Sequence, residues 1–278
     1  MPTSGCKSVC LSNMRDKQLD LFAGSGIDVV HPAPPSSMTQ SAAAAALSDA
    51  ALLAAIPAAG IIQGPALAAE VGRRRLHAAI PILEDYCRRF AGFGTEHALP
   101  EQIAALDALA AIGGPEAANA VARIITNAWV RGPTLCNAAA AAAQLRSRLP
   151  GAIVLTLLRH ADTATRANAC RLARPEPDII ATLIDLLGDL HRAVSVTAAC
   201  ALGRMARPEA RPLLKRALCD APSEQVIEAV PPIADDECIV LLGRIARSAT
   251  DLTAAARDAL ASIEHPLAER LSERLRDT

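Results

Sequence analysis

From about residue 42 onward, apolar residues recur at three- and four-residue spacing, the period that lines one face of an α-helix. Ile179, Ile180, Leu183, Leu186 and Leu187 form one such stripe. Leu213, Leu214 and Leu218 form a second, and Ile239, Leu241, Leu242 and Ile245 a third. Between them lie alanine-rich runs, such as Ala169-Cys170-Arg171-Leu172-Ala173 and Ala199-Cys200-Ala201-Leu202-Gly203. Alanine gives up no side-chain entropy in a helix. The pattern predicts alanine-rich helices alternating with leucine-rich ones.

The alternation repeats. Arg174-Pro175-Glu176 and Arg207-Pro208-Glu209 close two of the alanine-rich runs, and the second run is about one turn longer. Ala111-Ile112-Gly113-Gly114-Pro115-Glu116 and Ser262-Ile263-Glu264-His265-Pro266 have the same form. Gly or Arg ends the first helix, and proline suits the first position of the next, where its missing N–H would be unpaired anyway. The prolines near 115, 150, 175, 208 and 266 mark the period, with Asp235-Asp236 standing in for the missing one. A helix pair of this kind cannot bury its stripe alone, so the pairs must stack. The reading is about six pairs over residues 101–278 and irregular helical pairs over 41–100. In the last helix, Glu269, Arg270, Glu273 and Arg274 alternate with Leu271 and Leu275, a polar outer face suited to a cap.

The unit of alanine-rich helix, Gly or Arg, Pro-Glu-Ala and leucine-rich helix resembles the bacterial HEAT repeats of the type first named for phycobilisome lyases, over roughly residues 100–278. The resemblance implies an all-α fold, a right-handed α-solenoid of stacked antiparallel helix pairs. It also implies a non-catalytic scaffold or adaptor that binds another protein along its concave surface, since one scaffold carries unrelated activities. Arg166, Arg171, Arg192, Arg204, Asp251 and Arg257 are candidates for a mixed-charge lining of that surface.

Residues 1–40 differ in kind. His31-Pro32-Ala33-Pro34-Pro35-Ser36-Ser37 cannot continue a helix and reads as a linker behind a disordered tail. Met14 is an alternative start, with Arg15-Asp16-Lys17 as an ordinary polar opening. Lys7, Arg15, Asp16, Lys17 and Asp20 break any signal-peptide core. The alanine-rich stretch 41–71 is interrupted by Asp49, Pro57, Gly60, Gln63, Gly64 and Pro65, which favours a helical hairpin over a membrane span.

Composition narrows the function classes. Five aromatic residues cannot build a β-sandwich core. A formal net charge of −1 gives no global pull toward nucleic acid or anionic membrane, so direct nucleic-acid binding is not expected. Arg73-Arg74-Arg75 and Arg88-Arg89 sit beside Glu70, Glu84 and Asp85 and read as solvated helix faces. Of the eight cysteines, Cys6 and Cys10 lack a second pair to complete a zinc site. Cys87, Cys136, Cys170, Cys200, Cys219 and Cys238 fall in helical stretches and read as buried, reduced thiols of a cytoplasmic protein.

No catalytic, cofactor or metal site is expected. None of His31, His77, His97, His160, His191 and His265 is followed by Glu, as the di-iron hydroxylases built on this scaffold require; Glu96-His97 and Glu264-His265 run in reverse order. No motif marks a tetrapyrrole pocket, so a lyase-like accessory role rests on the resemblance alone. Tyr86, Phe90 and Phe93 share one helix face and read as core, unlike the base-stacking platform of HEAT-like DNA glycosylases; Trp129 reads as core or as an anchor for a partner. Leu19-Asp20-Leu21-Phe22-Ala23-Gly24-Ser25-Gly26 resembles a methyltransferase cofactor loop but lacks the strands that loop needs. One protein-binding string remains. Gln18, Leu19, Asp20, Leu21 and Phe22 match the pentapeptide by which bacterial proteins dock on the DNA polymerase sliding clamp, a hydrogen-bonding Gln followed by apolar anchors. It implies, as an alternative role, an accessory protein of replication or repair.

Overall fold

The structure, a computed structural model, describes residues 37–248 and 250–276. The described residues form one compact unit. Among the described residues there are sixteen α-helices and no strand. Four come before the regular repeat: α1 (Ser37–Ala45), α2 (Asp49–Ala55), α3 (Gly64–Arg74) and α4 (Ile80–Arg89). Six pairs follow: α5 (Pro100–Ile112) with α6 (Gly114–Thr126), α7 (Thr134–Gln144) with α8 (Gly151–Leu158), and α9 (Thr163–Leu172) with α10 (Pro177–Leu186). Then come α11 (Arg192–Arg204) with α12 (Arg211–Asp220), α13 (Glu224–Ala229) with α14 (Asp236–Ile245), and α15 (Thr253–Ala261) with α16 (Pro266–Arg276). The α1 helix starts at Ser37, earlier than the hydrophobic pattern suggests; the rest of the tail lies outside the described residues.

The helix ends follow local chemistry. Side-chain oxygens of Ser48, Asp162, Ser223 and Asp235 accept from backbone N–H groups that α2, α9, α13 and α14 would otherwise leave unpaired. Asp235 thus does the work that proline does at other joints. At the far ends, α3, α6, α7 and α11 each stop with a non-glycine residue in the left-handed region: Arg75, Ala128, Arg146 and Ala206. The next N–H then reaches back five residues, as in Leu76 to Val71 O, Trp129 to Ile124 O, Ser147 to Ala142 O and Arg207 to Leu202 O. These are Schellman endings made without glycine, so each joint carries the cost of a crowded Cβ.

Packing divides the helices into two rows. The alanine-rich helices touch their successors all along the unit: α3 on α5, then α7, α9, α11, α13 and α15. The leucine-rich row is less continuous: α4 meets α6, α8 meets α10 and α12 meets α14, but α6 hardly meets α8 and α10 hardly meets α12. A stack bends toward its more closely packed row, which puts the alanine-rich row on the inside. Small residues permit the approach. A Cβ on Gly72 would lie 2.7 Å from the Ala108 Cα, and one on Gly203 2.4 Å from the Ala229 carbonyl oxygen. The core is aliphatic throughout, with Leu106, Leu109, Ile124, Leu158, Leu183, Leu202 and Leu214 fully buried.

Several expectations are corrected. Pro175 lies in the turn and Pro177 opens α10, while Pro150 sits one residue ahead of α8 as its cap. Residues 41–71 form parts of three helices rather than a hairpin, and none of the described helices is long and apolar enough to cross a membrane. Because α4 stops at Arg89, Phe93 falls beyond it and is 65% exposed, while Tyr86 and Phe90 meet edge-on at 5.3 Å. Cys136 is half-buried and Cys219 exposed; the other four described cysteines are buried. The basic runs are not simply solvated. Arg74 donates to the Ala45 and Leu47 carbonyls and to Asp49, and Arg89 donates to the Pro57 and Ala59 carbonyls, tying the irregular helices together.

Ion pairs fasten further joints, and their titration sets an acid limit. Charge-assisted hydrogen bonds from Arg73 hold the buried Glu70 carboxyl down at about 2, with Arg74 adding to them against the cost of burial. Partial burial pushes Asp235 up, but the Lys215 ammonium and the Cys238 N–H outweigh it and leave it at about 2. Asp162 is lowered by the Thr165 N–H and hydroxyl, and Asp189 by Arg166. Asp107, raised by burial, is the exception among the described carboxyl groups and works the other way. A carboxyl more acidic folded than unfolded stabilises above its unfolded pKa and loses that contribution as pH falls through the folded value. The expected result is a melting temperature that holds down to about pH 4.5 and then falls steadily toward pH 2. Thermal melts followed by circular dichroism check it; a midpoint unchanged at pH 2 contradicts it.

Candidate functional site

The alanine-rich helices run in the same direction, so their C-terminal ends collect along one edge. At the ends of α7, α9 and α11 this edge carries Arg146, Arg171, Arg174 and Arg204, which face Glu224, Gln225 and Glu228 of α13 across a groove of about 530 Å³. Ala143, Ser147, Leu172 and Ala173 complete the lining. Each arginine has a local reason to be there. Arg171 and Arg204 occupy the last turns of α9 and α11, where a cation offsets the partial negative charge of the exposed carbonyls. Arg146 is the left-handed residue that ends α7.

What marks this edge is four arginines gathered in one groove without a carboxylate partner. Other arginines, among them Arg73, Arg74, Arg123, Arg166, Arg192 and Arg207, do hold a carboxylate. Among the described residues, none of the four groove arginines forms an ion pair, and neither Glu224 nor Glu228 pairs with them. Two neutral groups in the same lining are also unsatisfied: the Ser147 hydroxyl, on a residue only 3% exposed, and the Gln225 amide nitrogen. Buried polar atoms without partners are uncommon and need a reason. A neighbouring groove of about 560 Å³ shares Arg146, adds Arg148 and runs between α5 and α7 past Gly113, Gly114 and Gln144.

Of the candidates read from the sequence, the structure brings Arg171 and Arg204 together. Arg166 is taken: it donates to Asp189 and to the His160 and Ala161 carbonyls. Arg192 reaches Asp220 of the other row, and Arg257 lines a separate groove between α15 and α16. Asp251 lies in the turn before α15. Sequence reading missed Arg146, Arg174, Ser147 and Gln225. The available signal was a basic residue at or just past the end of successive alanine-rich helices. Trp129 is half-buried and its carbonyl accepts from the Gln102 amide, so it belongs to the packing of α5. Gln18, Leu19, Asp20, Leu21 and Phe22 lie outside the described residues.

The four buried thiols are poor nucleophiles. Burial pushes Cys87 and Cys170 up to about 12 and Cys200 and Cys238 to about 11, so they stay protonated at neutral pH. No cluster of His, Cys, Asp or Glu among the described residues could hold a metal ion.

Residues 151–230 match the family model described as HEAT repeats. The matched span runs from α8 to α13 and includes Arg171, Arg174, Arg204 and the facing Glu224, Gln225 and Glu228. Comparison with the curated proteins finds no match. The fold is an α-solenoid of HEAT-like helix pairs, and the groove straddles the start of the matched span, with Ala143, Arg146 and Ser147 ahead of it.

Proposed function

We propose that the chain is a non-catalytic scaffold, of the phycobilisome-lyase-like HEAT type, that holds another protein against its row of alanine-rich helices and acts in the cytoplasm. One observation carries the reading: the ends of three successive alanine-rich helices assemble a groove whose charges and buried polar atoms have no partners within the described chain. Helices that touch along the whole row move as a unit, so the groove is presented in a fixed shape and a partner has little ordering to do on the scaffold's side. Such a surface binds through a few desolvated anchors rather than through its whole area.

The test places a photoactivatable benzoylphenylalanine at Asn168, half-buried on α9 of the alanine-rich row, or at Asp185, exposed on α10 of the other row. Irradiation in cells of the native host, followed by mass spectrometry, is expected to give adducts of one defined protein from the Asn168 position and not from Asp185. Equal yields from both, or none from Asn168, count against the scaffold.

A further inference from the structure

Resting on the scaffold reading and deepening it, we propose that the groove bounded by Arg146, Arg171, Arg174 and Arg204 receives an acidic peptide segment of the partner protein, with its Asp or Glu carboxylates on the guanidiniums. A guanidinium has five donors and no acceptor, and its planar fork matches a carboxylate. Four of them share one groove without a single carboxylate partner among the described residues. The unpartnered groups beside them extend the same chemistry. The Gln225 amide nitrogen can only donate, and the Ser147 hydroxyl can donate as well. Glu224 and Glu228 do not reach the arginines, so the arginine side of the lining is short of acceptors, and an acceptor-rich ligand supplies them. The volume, about 530 Å³, holds a few side chains rather than a folded domain.

Other occupants fit less well. No aromatic residue lines the groove, so a nucleic acid finds no surface for its bases to stack on, and Glu224 and Glu228 repel a continuous phosphate backbone. An extended peptide avoids that repulsion by placing its acidic residues on the arginine wall and an N–H or a basic side chain opposite the glutamates. The chain's own first 36 residues are not complementary: Lys7, Arg15 and Lys17 are balanced by Asp16, Asp20 and Asp28.

Fluorescence anisotropy of the full chain with a rhodamine-labelled Glu-rich peptide tests the assignment, set against a single-stranded oligonucleotide of equal charge. Peptide binding is expected to weaken as salt rises, because exposed charges are screened. Arg171→Gln and Arg204→Gln, both at exposed positions, should each weaken it by roughly fivefold, the effect of one charge-assisted pair in a partly solvated site. Arg216→Gln, which removes an exposed cation from the leucine-rich row, should leave it unchanged. Glu228→Gln should tighten it by about twofold, since it removes a repulsive neighbour. That gain cannot come from a misfolded protein. Binding of the oligonucleotide as tight as that of the peptide, or wild-type peptide affinity in both arginine variants, overturns the assignment. Failure of the peptide arm with Asn168 adducts intact overturns the groove assignment alone. Loss of the adducts overturns the scaffold reading and this inference with it.

Discussion

Replacing Gly203 by valine is expected to lower unfolding free energy by about 3 kcal/mol, the upper end of what overpacking a well-filled core costs. Gly203 sits in the last turn of α11, where that helix crosses α13. Even a single methyl there would lie 2.4 Å from the Ala229 carbonyl oxygen and 2.9 Å from the Leu214 Cδ1. The leucine tip can swing aside, but the carbonyl is main chain and moves only if α13 moves. Intrinsic propensity would push the other way, since glycine in a helix interior costs roughly 1 kcal/mol relative to alanine. Gly203→Ala is therefore informative: a loss of stability shows that the close approach outweighs propensity. Gly60→Ala, where a Cβ meets nothing within 4 Å, should stay within about 0.5 kcal/mol. Urea unfolding followed by circular dichroism measures all three. A Gly203→Val variant as stable as wild type would show that α11 and α13 are not held at this spacing.

The consequence reaches the groove. Arg204 follows Gly203 directly, and Glu224, Gln225 and Glu228 stand on the helix that the glycine admits. A larger residue at 203 widens the gap between the arginine wall and its opposite wall. Peptide binding should then weaken in Gly203→Ala although no groove residue has changed.

The repeat was legible because its causes are local. Alanine-rich and leucine-rich periods, prolines at helix starts and the substitute cap at Asp235 all act within a few residues of one another, so a single sequence displays them. The helix pairs from Pro100 to Arg276 follow from that pattern. The groove was half legible. Arg171 and Arg204 stand out as basic residues in the last turns of alanine-rich helices, but Arg146 enters the site through a left-handed ending that nothing in Leu145-Arg146-Ser147 announces. Ser147 and Gln225 line one groove only because α7 and α13 border it from opposite sides of α9 and α11, a distance no local pattern spans. Arg166 failed as a surface candidate for the same reason, because its partner Asp189 belongs to the joint between α10 and α11.

That joint gives the second large effect. Arg166→Ala should cost about 3 kcal/mol, as expected when one member of a buried ion pair is removed and the other stays behind. Arg166 is 14% exposed and Asp189 9%, with Nε to Oδ2 at 2.9 Å, and the same guanidinium donates to the His160 and Ala161 carbonyls. One side chain thus ties α9 to the turn before it and to the turn that opens α11. The variant leaves Asp189 with the His191 N–H and little solvent, so its carboxyl, now held down by Arg166, should rise toward the ordinary range or above it. Asp189 then no longer adds to the acid loss of stability, so the acid limb should be shallower than in wild type, a change that simple loss of packing does not produce. A double-mutant cycle with Asp189→Asn isolates the pair: the combined loss should fall well short of the sum of the single losses, with coupling above about 1 kcal/mol. Additive losses, or an acid limb as steep as in wild type, would assign the cost to packing of the arginine stem instead of the charge it carries.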